Sequence, residues 1–206
     1  MGTALSMQKF LATPLAAQWK FPFVVNPRFS RRRVTTLALT DNFWTHTIDI
    51  GGYAIREAES GRILFRVMPA IDGEPADGRT KWLLDEYGIA VAHLTPTSDS
   101  NTASYKVYLG KRRQSPRVLT TLEIKFVPGR VLYLERGQGG RREPIAKVYR
   151  PASNRMTTFG GNGYHVETAI GVDMALIILI CAAMDDASVH FHKAHKHPIL
   201  GTSGIQ

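Results

Sequence analysis

The sequence predicts a mainly β domain in which an antiparallel sheet closes as a barrel around one buried C-terminal helix. Strand pairs joined by acidic, glycine-ended turns recur up to Tyr149, and residues 174–184 carry no polar side chain. The chain has 206 residues, of which 44% are hydrophobic and 21% are charged, so it can build one domain-sized core. Its single cysteine, Cys181, excludes an internal disulfide and a Cys-rich zinc site.

Three strand pairs are predicted in chain order, each with the pattern of a β-hairpin. Residues 53–57 and 63–67 flank a turn at 59–61, residues 82–84 and 89–94 flank a turn at 85–88, and residues 130–134 and 145–150 flank the stretch 137–140. Gly61 can supply the positive φ that such turns need. Residues 105–109 and 119–126 add two strands rich in β-branched and aromatic side chains, and residues 164–166 are also strand-like.

The C-terminal helix is predicted from residue 174, with Asp173 as its N-cap and with Asp185 and Asp186 ending the apolar run. Eleven residues at about 1.5 Å each span about 17 Å, well short of the ~30 Å hydrocarbon layer, so no membrane span is expected. A helix that is apolar all round must be buried on every side. The sheet is therefore expected to curve around it.

The runs at 164–167, 171–177 and 184–186 resemble the closing segment of LURP-one-related proteins, in the tubby C-terminal-like superfamily. The resemblance spans residues 21–187, leaving 1–20 as a flexible N-terminal segment and 188–206 as a flexible, histidine-rich tail. It implies a barrel of about twelve strands threaded by a hydrophobic helix. Tubby-like proteins bind phosphoinositide headgroups through basic side chains, and phospholipid scramblases also resemble this family. The plant family is associated with pathogen defence and has no established shared reaction.

Basic clusters are the main functional candidates, because 26 basic against 17 acidic residues leave a net charge of +9 that favours an anionic partner. Arginine presents planar, bidentate donors that suit phosphate groups. The predicted phospholipid-binding residues are Lys111, Arg112, Arg113 and Arg117, then Arg141 and Arg142, and then Arg31, Arg32 and Arg33. At each cluster the alternative is a solvated basic surface.

The function predicted from these features is a non-enzymatic binding or scaffold protein that contacts anionic phospholipids, including phosphoinositides. It would be a cytoplasmic, peripheral-membrane or nuclear monomer with unidentified protein partners. No nucleophile elbow, phosphate-binding loop or zinc-protease motif occurs, so neither catalysis nor a cofactor is expected. The alternative is a nuclear, transcription-associated protein that binds nucleic acid. It is disfavoured because the strand aromatics form no evident stacking platform. Scramblase-like activity is disfavoured as well.

Two terminal features suggest modification or metal binding. Gly2 lies in a short N-terminal pattern compatible with myristoylation, although an ordinary unmodified start is the favoured interpretation. His190, His192, His195 and His197 have spacings that could chelate zinc, copper or nickel, but adventitious binding is favoured and no physiological metal site is expected. Cys181, in the middle of the apolar run, is interpreted as an inert core residue.

Overall fold

The computed structural model describes residues 10–39, 52–74, 80–97, 103–111, 117–124, 131–135, 142–149 and 164–196. These residues form ten strands, one long helix, a 3₁₀ turn at Pro27–Phe29 and a helical turn at 10–12. The strands are β1 Thr35–Leu39, β2 Tyr53–Glu57, β3 Ile63–Met68, β4 Lys81–Asp85, β5 Ala90–Pro96, β6 Ala103–Leu109, β7 Val118–Ile124, β8 Val131–Glu135, β9 Arg142–Tyr149 and β10 Tyr164–Thr168, and the helix α1 is Met174–Lys196.

One antiparallel sheet contains all ten strands, in the order β7-β6-β5-β4-β3-β2-β1-β10-β9-β8. The predicted pairs β2–β3, β4–β5 and β8–β9 are confirmed. Gly61 and Gly88 have φ values of 68° and 78°, which allow the first two turns to close tightly. Strand β1 is absent from the predicted elements, although its side chains alternate between buried and half-buried positions, and it joins β2 to β10.

The sheet is not closed within the described residues, in contrast to the predicted barrel: β7 and β8 are its two edges. Laid flat, ten strands would put these edges nine intervals of about 4.8 Å apart, or about 43 Å. The chain from Ile124 to Val131 can span at most about 25 Å. The sheet must therefore be strongly curved, because its two edges are consecutive strands joined by a short connection.

Helix α1 lies against the concave side of this sheet and contacts β4, β5, β6 and β7. Its N-cap is Asp173, as predicted: one carboxylate oxygen accepts the amide N–H of Ala175 at 2.8 Å and that of Leu176 at 3.4 Å. The first ten residues from Met174 are apolar, and nine of them are buried. Ile177 and Ile178 are fully buried, which confirms that this half of the helix lies within the core.

The helix continues to Lys196, so Asp185 and Asp186 end the apolar run but not the helix. The boundary expected at residue 187 falls within α1. Residues of the strands interact with both carboxylates, as described below, and the helix continues through this point without a break. Among the described residues no helix is both long enough and apolar enough to cross a membrane.

Candidate anion-binding cleft

The strand directions bring the predicted basic clusters to one end of the sheet. Thr35, which begins β1, pairs with Thr168, which ends β10 shortly before the helix N-cap. Because neighbouring strands are antiparallel, the β2–β3, β4–β5, β6–β7 and β8–β9 connections all lie at this same end. We call it the basic end, because Arg31–Arg33 precede β1, Lys111 and Arg117 flank the β6–β7 connection, and Arg142 begins β9.

These clusters share an end but lie at different distances from one another along the sheet. Strand β6 is five strand intervals from β1, or about 24 Å along the sheet, whereas β9 is two intervals from β1. Lys111, Arg117 and Arg142 are exposed. Arg112, Arg113 and Arg141 lie outside the described residues. Measured along the sheet, the Arg31–Arg33 run is therefore closer to Arg142 than to Lys111 and Arg117.

Within the Arg31–Arg33 run, the third arginine is already paired with carboxylates. Arg33 contacts Glu57 and Glu59 at 3.1 Å each, at the β2–β3 turn. The Ser60 hydroxyl donates to Glu57 at 2.6 Å, and this bond, with Arg33, holds the pKa of Glu57 below its ordinary value. Among the described residues no carboxylate pairs with Arg31 or Arg32. Three arginines that are adjacent in the sequence therefore differ in the structure: Arg33 is paired with carboxylates, whereas Arg31 and Arg32 are not paired with any carboxylate of the described residues.

Residues 10–20, which we name the N-terminal strap, lie along β9 and the segment that follows β10. They fall within the segment 1–20, which is predicted from the sequence to be flexible. The strap is held by four hydrogen bonds: Lys147 Nζ to Leu11 O at 2.8 Å, Ala16 N to Pro144 O at 2.8 Å, Gln18 N to Ile170 O at 2.7 Å, and Gln18 Nε2 to Glu143 Oε2 at 2.8 Å. Gln18 is buried as a result.

Gly171 is the point where the strap, the Arg31 segment and the approach to α1 meet. Its amide N–H donates to the carbonyl oxygen of Arg31 at 2.9 Å. Its φ is +76°, and a Cβ at this position would overlap the carbonyl oxygen of Gln18. Only glycine allows both this conformation and this approach.

A cleft of about 840 Å³ opens between the strap, residues 30–32 and residues 170–171. Lys20, Arg31 and Arg32 provide positive charge, and none of the lining residues is acidic. Arg31 Nε is buried and has no hydrogen-bond partner among the described residues. A buried, unsatisfied guanidinium donor is costly, and a bound anion would satisfy it. The cleft wall also includes Phe21 and the indole of Trp19.

Exposed apolar side chains concentrate at the same end. Of the seven large hydrophobic residues exposed among the described positions, six belong to the segments and turns of the basic end. They are Trp19, Phe23, Val34, Tyr87, Ile89 and Val118. Trp19 is the most exposed, at 86%. The seventh, Leu11, lies in the strap away from this end.

Trp19 and Lys20 belong to the cleft but not to the residues predicted for a site. An adjacent aromatic and basic pair before Phe21 and Phe23 was the available signal, because such pairs are typical of surfaces that contact a membrane interface. Tyr87 and Ile89 are likewise predicted only as turn and strand residues. Their exposure depends on where the β4–β5 turn projects, which local sequence does not show.

A buried polar cluster lies at the far end of the sheet, around Asp185 and Asp186. Tyr105 Oη donates to Asp186 Oδ2 at 2.9 Å, and Lys81 Nζ contacts Asp186 Oδ1 at 3.3 Å. Burial, together with the nearby carboxylates of Asp185 and Asp186, raises the pKa of Tyr53 to about 12. Burial raises the pKa of Asp185 to about 7, against the opposing effect of Lys81. This cluster joins the helix to β2, β4 and β6.

The remaining predicted positions contribute no site. His190, His192 and His195 lie within α1, where their side chains are not described, and His197 and Gly2 lie outside the described residues. No group of described side chains has the composition and spacing to hold a metal ion. Cys181 is fully buried, and burial raises its thiol pKa to about 12, in accord with an inert core residue.

One solved structure supports the architecture. The chain is similar to the X-ray structure of a protein from Arabidopsis thaliana, with 20% sequence identity and a TM-score of 0.55. The match covers 82% of this chain and 99% of that one. No protein-family model and no curated protein matches the chain. At this level of identity, the likeness shows a shared fold alone.

Proposed function

We propose that this chain is a non-enzymatic scaffold protein that binds anionic phospholipid surfaces, including those with phosphoinositides, through its basic end. The observation that carries the proposal is that six exposed hydrophobic side chains lie at the same end of the sheet as Arg31, Arg32 and Lys20. Apolar side chains that enter the interface, together with basic side chains that attract headgroup phosphates, are the usual components of peripheral membrane binding.

The proposal includes a tubby-like barrel. The sheet order supports closure, because every adjacent pair is formed except the one between β7 and β8, which are consecutive in the chain. The apolar half of α1 is buried, as a central barrel helix would be. Such a scaffold would present its turns as one rigid face.

The direct test is flotation with liposomes of matched charge at about 0.15 M salt, where diffuse surface attraction is screened. We expect the protein to float with vesicles containing phosphatidylserine or a phosphoinositide and not with phosphatidylcholine alone. Preference for the phosphoinositide at equal charge would identify headgroup selectivity. Failure to float with any anionic vesicle would refute the proposal.

Two matched pairs of variants test the face itself. Replacing both Arg31 and Arg32 by Ala should weaken anionic-vesicle binding about thirtyfold, since each basic side chain near the surface contributes about 1 kcal/mol. The control replaces Arg66 and Lys106, which are exposed within strands β3 and β6. Trp19→Ala should weaken binding and Leu11→Ala should not. If the Arg31 and Arg32 variant and the Arg66 and Lys106 variant lost the same amount of binding, net charge and not the position of the arginines would account for the attraction.

The nucleic-acid alternative is tested under the same conditions. Tighter binding to duplex DNA than to anionic vesicles at about 0.15 M salt would favour a nuclear role. A second variant shows which basic cluster contributes more to vesicle binding: it replaces Lys111, Arg112 and Arg113 by Ala. We expect it to weaken vesicle binding less than the Arg31 and Arg32 variant, because Arg31 and Arg32 line a cleft together with the exposed Trp19.

A further inference from the structure

We propose that the cleft between the strap and residues 30–32 binds a single phospholipid molecule, with its phosphate at Arg31 and Arg32 and its glycerol and acyl part along the apolar wall. This inference rests on the proposed function and deepens it: surface attraction needs no cleft, whereas recognition of one lipid does.

The position of the phosphate is inferred from the hydrogen-bond donors that line the cleft. The backbone of Arg31 is anchored by the hydrogen bond from the Gly171 amide, and its Nε is buried without a partner among the described residues. Arg32 is exposed beside it, and Ser30 adds a hydroxyl to the lining. A phosphate oxygen would satisfy the buried donor and offer further acceptors to the second guanidinium. The lining includes no carboxylate that would repel the anion.

The size and remaining lining of the cleft indicate more than a phosphate. A volume of about 840 Å³ lies within the ~300–1,000 Å³ typical of small-molecule sites and exceeds what a lone phosphate fills. Phe21, Val24 and Ile170 line the wall. Apolar side chains suit an acyl chain, whereas a nucleotide would call for more donors and acceptors around its base. The anion should therefore carry an apolar group.

The test uses dihexanoyl phosphatidic acid below the concentration at which it forms micelles, with glycerol 3-phosphate and dihexanoyl phosphatidylcholine as comparison ligands. Calorimetry measures affinity, and tryptophan emission reports on Trp19. We expect saturable binding of the phosphatidic acid, at least tenfold tighter than that of either comparison ligand. Emission is recorded in a Trp44→Phe background, because Trp44 lies outside the described residues. In that background Trp19→Phe should abolish the emission change, because the remaining tryptophan, Trp82, is fully buried away from the cleft.

Arg31→Ala should weaken binding of the phosphatidic acid at least tenfold, and Arg31→Lys should restore only part of it because the planar fork is lost. Arg66→Ala, which removes the same charge from β3, should change affinity less than twofold. Circular dichroism verifies that each variant is folded. If Arg31→Ala does not fold, Phe21→Asp serves as the second variant and should weaken binding through the apolar wall.

Each outcome decides the inference. Equal affinity for glycerol 3-phosphate would overturn the role of the apolar wall. Equal affinity for the phosphatidylcholine, whose phosphate is esterified to choline so that the headgroup has no net charge, would overturn recognition of an anionic headgroup. Absence of saturable binding, with vesicle flotation intact, would overturn the cleft while leaving the proposed surface function standing. If the wild-type protein did not float with any anionic vesicle, the proposed function itself would be refuted.

Discussion

Tyr105 donates its phenolic hydrogen to Asp186 at 2.9 Å, which ties strand β6 to the second half of helix α1. The tyrosine is 2% exposed, and burial followed by the charge of Asp186 raises its pKa far above the ordinary value. The bond therefore persists across the physiological pH range. Lys81 contacts the other oxygen of the same carboxylate, so one helix residue is held by two strands.

Tyr105→Phe should lower the free energy of unfolding by about 1–2 kcal/mol, because Asp186 loses a charge-assisted hydrogen bond in a buried site. Urea unfolding followed by circular dichroism measures the change. The matched control is Tyr108→Phe on the same strand, whose ring stacks on His93 and is preserved by the substitution. Equal effects of the two substitutions would contradict a specific role for the Tyr105 hydroxyl.

Asp185 should make stability fall as pH rises from about 4 to about 7. Its folded-state pKa is raised to about 7, so between its unfolded and folded pKa values the folded protein binds the additional proton. The stabilisation is complete below the unfolded pKa and is lost as pH passes the folded value.

Asp185→Asn should flatten this slope and raise stability near pH 8 by at most about 4 kcal/mol, since each unit of pKa difference corresponds to about 1.4 kcal/mol. Tyr53, Lys81 and Asp186 interact with the carboxyl group and remain in the variant. Asp72→Asn, at an exposed position, serves as the control and should leave the slope unchanged. If the stability of Asp185→Asn changed with pH as steeply as that of the wild-type protein, the titrating group would be a residue other than Asp185.

Ile178→Asp should unfold the domain. The side chain is fully buried in the helix core, and an unpaired carboxylate there should cost at least about 4 kcal/mol. Ile178→Val removes one methylene without charge and should cost about 1 kcal/mol. A soluble Ile178→Asp protein with a cooperative unfolding transition would refute the buried position of this helix.

Gly171→Ala should destabilise the protein by more than about 2 kcal/mol and weaken lipid binding. The added Cβ would overlap the carbonyl oxygen of Gln18 and push the strap from the cleft. Gly88→Ala isolates the backbone contribution, because Gly88 has a similar φ of 78° and a Cβ added there would have no atom within 4 Å. It should cost only about 1 kcal/mol. Equal losses would mean that steric contact with Gln18 contributes nothing.

Local features of the chain were enough to predict the hairpins and the start of the helix. Alternating apolar residues and a glycine such as Gly61 determine a hairpin through interactions within a few residues of the chain. The Asp173 cap determines the helix start in the same local way. Strand β1 escaped prediction because no short turn links it to a partner: residues 40–52 separate it from β2, and its other neighbour, β10, comes from near the other end of the chain. The helix end was also missed, since Lys81 and Tyr105 accommodate Asp186 from distant strands.

A β domain with one apolar helix, a basic surface and an inert cysteine can be predicted from residue patterns, because periodicity, side-chain type and charge are local properties. Which basic residues remain without a carboxylate partner depends instead on the folded chain. Arg33 contacts Glu57 of the neighbouring strand, whereas Arg31 lines a cleft that forms where Gln18 hydrogen-bonds to Ile170, near the opposite end of the chain. Such contacts depend on the three-dimensional path of the backbone, which residue patterns do not encode locally.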